Sequence, residues 1–510
     1  MTASPLRVSA LAVRPGPLLA LAVLAFVGGC RLRPGGPAPE PGTSIQITVG
    51  GVPAAGPDLS DTLVATAPPR PAAPEPAPPA ASPSSVDRAG TGPLLSQALR
   101  QRTFDLAWRR VRDGFYDPRF NGLSWDSIGA VFRPEALAAV RSGPFHQVLA
   151  RMLATLGVSH TIVLSPERLA EESARNPGWT GAEALELGHD WVVWRVAPGS
   201  PAAKARLHPG DVLDSIAGRS AEALARAGDR PWLKPNESLR ARTAAVNEAL
   251  SGDRGLIVRV VARDTLDRAR VAQMKARAYP GPSVRIGNLP PARALFEVRR
   301  LDGGWGYIRF TAFVPALRKR IDGAIRGLHD APGLILDLRG NPGGYDALGD
   351  HIASLLVTEP HVLTETRTRH GERIDRARPE KDGYRGPVVV LLDGLSASAA
   401  EQFAAPLQEI GRVVAVGEPS AGADLEAAVV ALPTGGALMY PVGEPLTPAG
   451  RVIEGTGVSP DVEAHLSRLG LARGHDAQLD SAVAVLERRA PPRPPARRWR
   501  WIPRIHIPHP

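Results

Sequence analysis

The chain has 510 residues, 43% of them hydrophobic and 22% charged, the balance of soluble globular domains, and its length leaves room for roughly two to four of these. The formal net charge of +10 is concentrated at the end, where seven arginines lie between Arg488 and Arg504, so the basic balance describes a tail. With no zinc-finger, helix-turn-helix or RNA-binding signature beside it, that charge argues against a nucleic-acid partner, and the single cysteine, Cys30, excludes an intrachain disulfide.

Arg7 and Arg14 precede an apolar run over 18–27, followed by Gly28, Gly29 and Cys30. As a helix the run would span about 15 Å, half of a ~30 Å hydrocarbon core, which suits a signal-peptide core and not a membrane span. Val27-Gly28-Gly29-Cys30 resembles a bacterial lipobox. That resemblance implies a lipoprotein signal peptide over 1–29, diacylglycerol on Cys30, and a membrane-anchored protein of the bacterial cell envelope facing the periplasm. Residues 30–92 are dominated by Pro, Ala, Gly and Ser, too poor in apolar side chains to form a core, and read as an extended linker. Within it, Ile45 to Val49 alternate as a short strand would.

Residues 93–170 read as a small helical domain. Phe104, Trp108, Val111 and Phe115 recur at helical spacing, and a second amphipathic stretch over 145–156 leads into Gly157-Val158-Ser159-His160. Residues 171–270 read as a β-domain, with a strand over 191–196, a short helix opened by Ser200-Pro201, a turn at Pro209-Gly210-Asp211 leading into a strand, and a hairpin turn at Ala217-Gly218. The order GSPAAKA then PGDVL resembles a bacterial PDZ domain, with Arg206 standing where that family usually has glycine. The resemblance implies binding of polypeptide C-termini by strand addition, with Gly178, Trp179, Thr180 and Gly181 as the amide nest for the terminal carboxylate. Residues 281–487 alternate apolar strands, near 306–310, 333–338, 387–392 and 413–416, with helices near 348–356 and 399–410, the pattern of an α/β core with parallel strands. The remaining 488–510 interleave arginine with Trp499, Trp501 and prolines, a composition suited to an anionic membrane surface.

Two strand-to-helix junctions in the α/β region carry chemistry. After one strand comes Asp337-Leu338-Arg339-Gly340-Asn341-Pro342-Gly343-Gly344, whose paired glycines can turn backbone amides toward a ligand. After another comes Ser396-Ala397-Ser398-Ala399-Ala400-Glu401, where a serine sits at the positive end of a helix. By itself such a serine reads as an N-cap. Ser396 is the rival nucleophile, Glu401 reads as a first-turn dipole partner, and Glu409 lies about 16 Å along the helix, out of reach of Ser398.

Taken together and in order, DLRGNPGG, SASAAE, VGEPSAG and the closing Glu454-Gly455-Thr456-Gly457-Val458-Ser459-Pro460-Asp461 resemble the C-terminal-processing, or tail-specific, serine peptidase family. The resemblance covers nearly all of 93–486. It implies a core of the Clp-protease/crotonase type behind a helical domain and a PDZ domain, and peptide-bond hydrolysis through an acyl-enzyme on polypeptides of the cell envelope. One branch of the family uses a lysine downstream of the serine, but Gly422-Ala423-Asp424 stands at that turn and no lysine follows Lys381. The tricorn-like branch implies Ser398 as nucleophile, His160 as base, and Ser159 and Glu454 supporting the imidazole. Gly343 or Gly344, with Ala399, would supply the oxyanion hole. No HExxH or paired-cysteine signature occurs, so no metal or other cofactor is expected. The alternative reading is an inactive PDZ-containing binding protein on the same fold.

Overall fold

The computed structural model describes residues 92–489. The signal segment, Cys30, the 45–49 alternation, most of the linker and the tail beyond residue 489 lie outside the described residues.

Three helices, Gln97–Gly114, Trp125–Ala138 and Ser142–Ala154, open the described chain. Ser96 and Ser124 cap the first two, each hydroxyl accepting an amide three residues on. Phe104, Ala107 and Val111 form the buried stripe of the first helix. The middle helix was not expected from the pattern, since Pro134 lies inside it. A reciprocal pair holds it down instead: the Trp125 indole donates to Trp108 O at 3.1 Å and the Trp108 indole to Trp125 O at 3.2 Å. These helices are not a free-standing body. Their core includes Leu425, Leu438 and Tyr440, and Ile162–Leu164 pairs antiparallel with Ala437–Leu446 from the far end of the chain.

The next region is a six-stranded antiparallel sheet whose terminal strand is Ala182–Leu187. Its hairpin turn has Ala217 at φ 50° and Gly218 at φ 82°, both positive as a two-residue turn of this hand requires. Arg206, at the position of the family's glycine, takes φ 59°. The region ends later than expected at 270. Ala269–Lys275 completes the sheet, and Arg277–Ala278 pairs with Gly178–Trp179. A helix absent from the sequence reading, Pro235–Ser251, packs on the Ala182–Leu187 strand.

The core sheet has the order Phe296–Arg300, Gly306–Phe310, Leu334–Asp337, Val388–Leu392, Val413–Gly417, Val462–Glu463, parallel from the second strand onward. Its central strands are apolar without alternation because both faces are covered. Helices Arg318–Gly327, Asp346–Leu356 and Ala399–Glu409 contribute to the core on one face, and Ala477–Arg489 lies on the other. The result is a multidomain α/β architecture whose strands Leu334–Asp337 and Val388–Leu392 both deliver a loop to their carboxyl ends, the usual ligand crevice of such sheets. Arg309 ties this core to the antiparallel domain, donating to Glu183 at 2.6 and 3.1 Å and lying over the Trp194 ring.

Candidate active site

Strand Val388–Leu392 turns into helix Ala399–Glu409 through Ser398, whose φ 55° and ψ −125° are costly for a residue with a Cβ. Surrounding bonds hold it there. The Ser398 amide donates to Ala423 O at 2.8 Å and lies 3.0 Å from Glu401 Oε2. Glu401 is fully buried and also accepts from Ser420 Oγ at 2.5 Å, Gly422 N at 2.7 Å and Ala423 N at 3.0 Å. Glu401 is thus more than the dipole partner the sequence suggested: it pins the Ser398 turn to the 420–423 loop. Burial pushes its carboxyl above the usual range, and these donors oppose the rise. Ser396 is buried as well, its hydroxyl donating to Leu338 O at 2.9 Å and accepting from Asp393 N at 3.0 Å. That makes it a tie between two strand ends, closed to substrate.

The chain leaving the third helix brings Ser159 and His160 to the opposite side of the site. Ser159 Oγ donates to Glu454 Oε2 at 2.8 Å, and its amide donates to Oε1 at 2.7 Å. Because that hydroxyl has one proton, its 2.7 Å contact with His160 Nδ1 is accepted from Nδ1–H, which leaves the Nε2 lone pair free. Burial, with a smaller push from Arg240, lowers the His160 pKa to about 4, so the imidazole is neutral at pH 7. His160 and Ser398 line one cavity of about 1020 Å³. Among the described residues Ser398 Oγ makes no hydrogen bond to His160, a contact that in serine hydrolases often tightens only with substrate bound.

The Asp337 to Gly344 loop is held from below. Asp337 is buried against Arg339 at 2.6 Å and accepts from Tyr307 OH at 2.7 Å, and the guanidinium beside it holds its carboxyl far below the usual range despite burial. Asn341 Nδ2 donates to Phe310 O at 2.9 Å, while Asn341 Oδ1 accepts the Gly343 amide at 2.9 Å. Gly343 is therefore not a free oxyanion donor. Its lack of a side chain serves close approach, since a Cβ there would lie 2.7 Å from Ser398 Cβ and 2.8 Å from Ala399 N, at φ 94°. Among the described residues the amides of Gly344 and Ala399 have no acceptor, and Gly344 lines the cavity, so these two form the free donor pair.

A strained serine at a helix start, a neutral histidine oriented by a serine and a glutamate, and the free amide of Gly344 around one cavity, with that of Ala399 next to the serine, are the parts of an acyl-transfer site. The sequence profile of peptidase family S41 matches residues 304–464, and that of the tricorn protease C1 domain matches residues 96–154. Carboxyl-terminal-processing peptidase 3 of Arabidopsis thaliana is 26% identical over 402 residues, covering 76% of this chain and 73% of that protein. The C-terminal processing peptidase of Tetradesmus obliquus is 28% identical, covering 73% of this chain and 78% of that protein. The crystal structure of mature CPAF superposes with a TM-score of 0.51 at 14% identity, covering 76% of this chain and 97% of the other, which shows a shared fold. Residues 304–464 carry the peptidase S41 core, and the chain is a serine-type peptidase similar to the C-terminal-processing peptidases.

In this peptidase the Gly178 to Gly181 segment lies in the antiparallel domain, apart from the cavity that Ser398 lines. Half of the expected nest is already occupied: Gly178 and Trp179 form a strand paired with Ala278 and Arg277, and the Gly178 amide donates to Gly252 O at 2.8 Å. Gly181, at φ 82°, packs so closely that a Cβ would lie 2.2 Å from that of Ser200. On the neighbouring strand the Ala184 amide donates to Asn247 Oδ1 at 2.8 Å and Ala184 O accepts from Asn247 Nδ2 at 2.9 Å. A side chain of the Pro235–Ser251 helix thus takes the backbone pair that an added peptide strand would use. The sequence reading also missed Arg240 and Asp424. Arg240, on that helix, reaches the cavity lined by Ser398 and His160, and nothing local marks it. Asp424 is buried with Oδ1 unpartnered among the described residues, and burial followed by the charge of Glu401 pushes its carboxyl well above its usual range. The capping role of Glu401 had a legible signal, the Ser-x-x-Glu spacing of Ser398 and Glu401.

Proposed function

We propose that the peptidase cleaves polypeptides near their C-termini through an acyl-enzyme on Ser398. His160 Nε2 takes the Ser398 proton as Oγ forms a bond to the scissile carbonyl carbon, and the oxyanion receives hydrogen bonds from the Gly344 and Ala399 amides. His160 then returns the proton to the departing amine as the C–N bond breaks, and a water activated by the same imidazole hydrolyses the ester. Ser159 keeps the proton on Nδ1, and the Glu454 carboxylate behind it stabilises the imidazolium during each transfer. The observation that carries this reading is the Glu454–Ser159–His160 chain ending in a cavity shared with Ser398.

The antiparallel region is read as a PDZ domain that takes a polypeptide end only where Asn247 releases the Ala184 backbone, and Cys30 as a lipid anchor holding the chain at the bacterial envelope with envelope polypeptides as substrates. A non-enzymatic binding protein would have no need of a strained serine beside a neutral, oriented histidine. A fluorophosphonate probe separates the two: it should label Ser398 and lose all labelling in Ser398→Ala. Equal labelling of both proteins, or none of the wild type, favours the binding protein.

A further inference from the structure

The sheet of the antiparallel domain ends on one side at Ala182–Leu187 and on the other at Ala269–Lys275. The second edge and its neighbour, Ile257–Arg263, form a hairpin with one side in the core and one side open. Register sets Ile257 opposite Lys275, Arg259 opposite Gln273 and Val261 opposite Val271, so these six side chains share a face. The alternate residues Val258, Val260, Ala272 and Met274 are buried in the core of the domain. On the outer face Ile257 is 62% and Val271 51% exposed, and Leu256, just before the strand, is 60% exposed. Single exposed aliphatic side chains are ordinary; what sets these apart is the charge around them.

That charge has one sign. Neither strand contains an aspartate or a glutamate. Lys204, Arg254, Arg259, Lys275 and Arg277 are exposed, and among the described residues none of their side chains makes a hydrogen bond or ion pair. The other arginines of the two strands, Arg263 and Arg270, are paired with Asp214 and Asp211. At the ends of the hairpin, Asp264 and Asp267 are spent on Arg268 and Arg468, and Asp253 has its Oδ1 buried. Beside the edge strand, a groove of about 370 Å³ is lined by Lys204, Lys275 and Arg277, with no carboxylate in its wall. Three cations around one groove suit a phosphate oxyanion.

Aliphatic side chains among unpaired cations match the interface of an anionic bilayer, where apolar groups enter the headgroup boundary and cations meet phosphates. A nucleic acid or an acidic polypeptide would use the cations but leave Leu256, Ile257 and Val271 in water. We propose that the 257–275 hairpin docks on an anionic lipid surface, with a lipid phosphate in the groove between Lys204, Lys275 and Arg277. The groove shares no lining residue with the cavity that Ser398 lines, and the strand edge at Ala184 belongs to the opposite end of the sheet. Lipid and polypeptide therefore do not compete for the same residues. The proposal depends neither on the acyl-transfer reading nor on a lipid at Cys30.

Cys30 is the single cysteine, so the full-length Cys30→Ser chain carries no lipid there and accepts one dye elsewhere. In that chain, Gln273→Cys labelled with the environment-sensitive dye NBD should brighten and shift blue on vesicles of phosphatidylglycerol and phosphatidylcholine. Pure phosphatidylcholine should leave it unchanged, as should either vesicle for NBD at Lys319→Cys, on a helix of the α/β core. Lys275→Gln with Arg277→Gln should weaken vesicle affinity roughly 30-fold, at about 5-fold per cation, and Ile257→Ser should weaken it with no change of charge. An unchanged urea unfolding midpoint shows that these surface variants still fold. Sedimentation with anionic vesicles but no spectral change at position 273 overturns the proposal, since the basic tail alone would then be bound. So does an equal response to phosphatidylcholine, or a response that survives both sets of substitutions. A response to polyglutamate or a DNA oligonucleotide with none to vesicles overturns it in favour of an acidic macromolecule.

Discussion

Glu454 grips Ser159 twice, accepting its amide at 2.7 Å and its hydroxyl at 2.8 Å, across 295 residues of sequence. This double hold fixes the Ser159 hydroxyl as donor to the carboxylate and so presents its lone pair to His160 Nδ1–H. Ser398→Ala and His160→Ala should each lower peptidase turnover by roughly three orders of magnitude or more, and the double variant should be barely worse than either, because the two act as one unit. Glu454→Gln should cost about 10- to 100-fold, since an amide cannot accept all three of its donors. Single-turnover kinetics on the four proteins checks this, and near-normal turnover in His160→Ala would assign the base elsewhere.

The pH profile should carry a depressed acid limb. Burial disfavours the imidazolium, so the His160 pKa falls to about 4 in the free enzyme, and the neutral, basic form persists well below the ~6.5 of a solvated histidine. Activity is present above the folded pKa and lost as pH falls through it. The acid limb of kcat/KM, which reports the free enzyme, should therefore lie below about 6. A limb at 6.5 or higher, measured in several buffers at constant ionic strength, would contradict the buried environment of His160.

Glu401 should matter for stability as well as turnover. In Glu401→Ala the donors Ser398 N, Ser420 Oγ, Gly422 N and Ala423 N all lose a buried acceptor. The loss should exceed about 3 kcal/mol in urea unfolding, and activity should fall with it. Glu401→Gln, which keeps the shape and one acceptor, should fall between. An unchanged unfolding midpoint in Glu401→Ala would mean that water replaces the carboxylate.

Gly343→Ala separates close approach from oxyanion binding. Its Cβ would meet Ala397 O at 2.7 Å and Ala399 N at 2.8 Å, displacing one free oxyanion donor while the Gly343 amide itself stays bonded to Asn341. We expect kcat to drop by about 100-fold with KM little changed, as for loss of an oxyanion donor. Wild-type kcat in this variant would show that the two loops do not need their present spacing.

The lipobox reading of Cys30 is testable apart from the site around Ser398. Growth with an alkynyl fatty acid should label the wild-type chain and leave Cys30→Ser unlabelled and released from membranes. Retention of the variant at the membrane, with no lipid on the wild type, would dismiss the lipobox reading.

Much of the fold was legible because its signals are short-range. The apolar run of Val388–Leu392, the stripe of Phe104 and Val111, and the Ala217-Gly218 turn each declare themselves within a few residues, through periodicity or positive-φ chemistry. The structure brings Ser159, His160 and Glu454 into contact, although no local pattern says that Glu454 meets Ser159. What only the tertiary structure decided are matters of whose hydrogen bond is already taken. Gly343 and Gly344 are alike in sequence, yet Asn341 takes one amide and leaves the other free. Asn247 occupies the strand edge at Ala184, and Glu401 gathers donors from two loops. Arg240 lies on a helix that the sequence pattern did not announce, brought to the cavity that His160 lines by packing between distant segments. A hydrogen bond or an unmatched charge depends on atoms far apart in the chain, and only the folded backbone sets the distance between them.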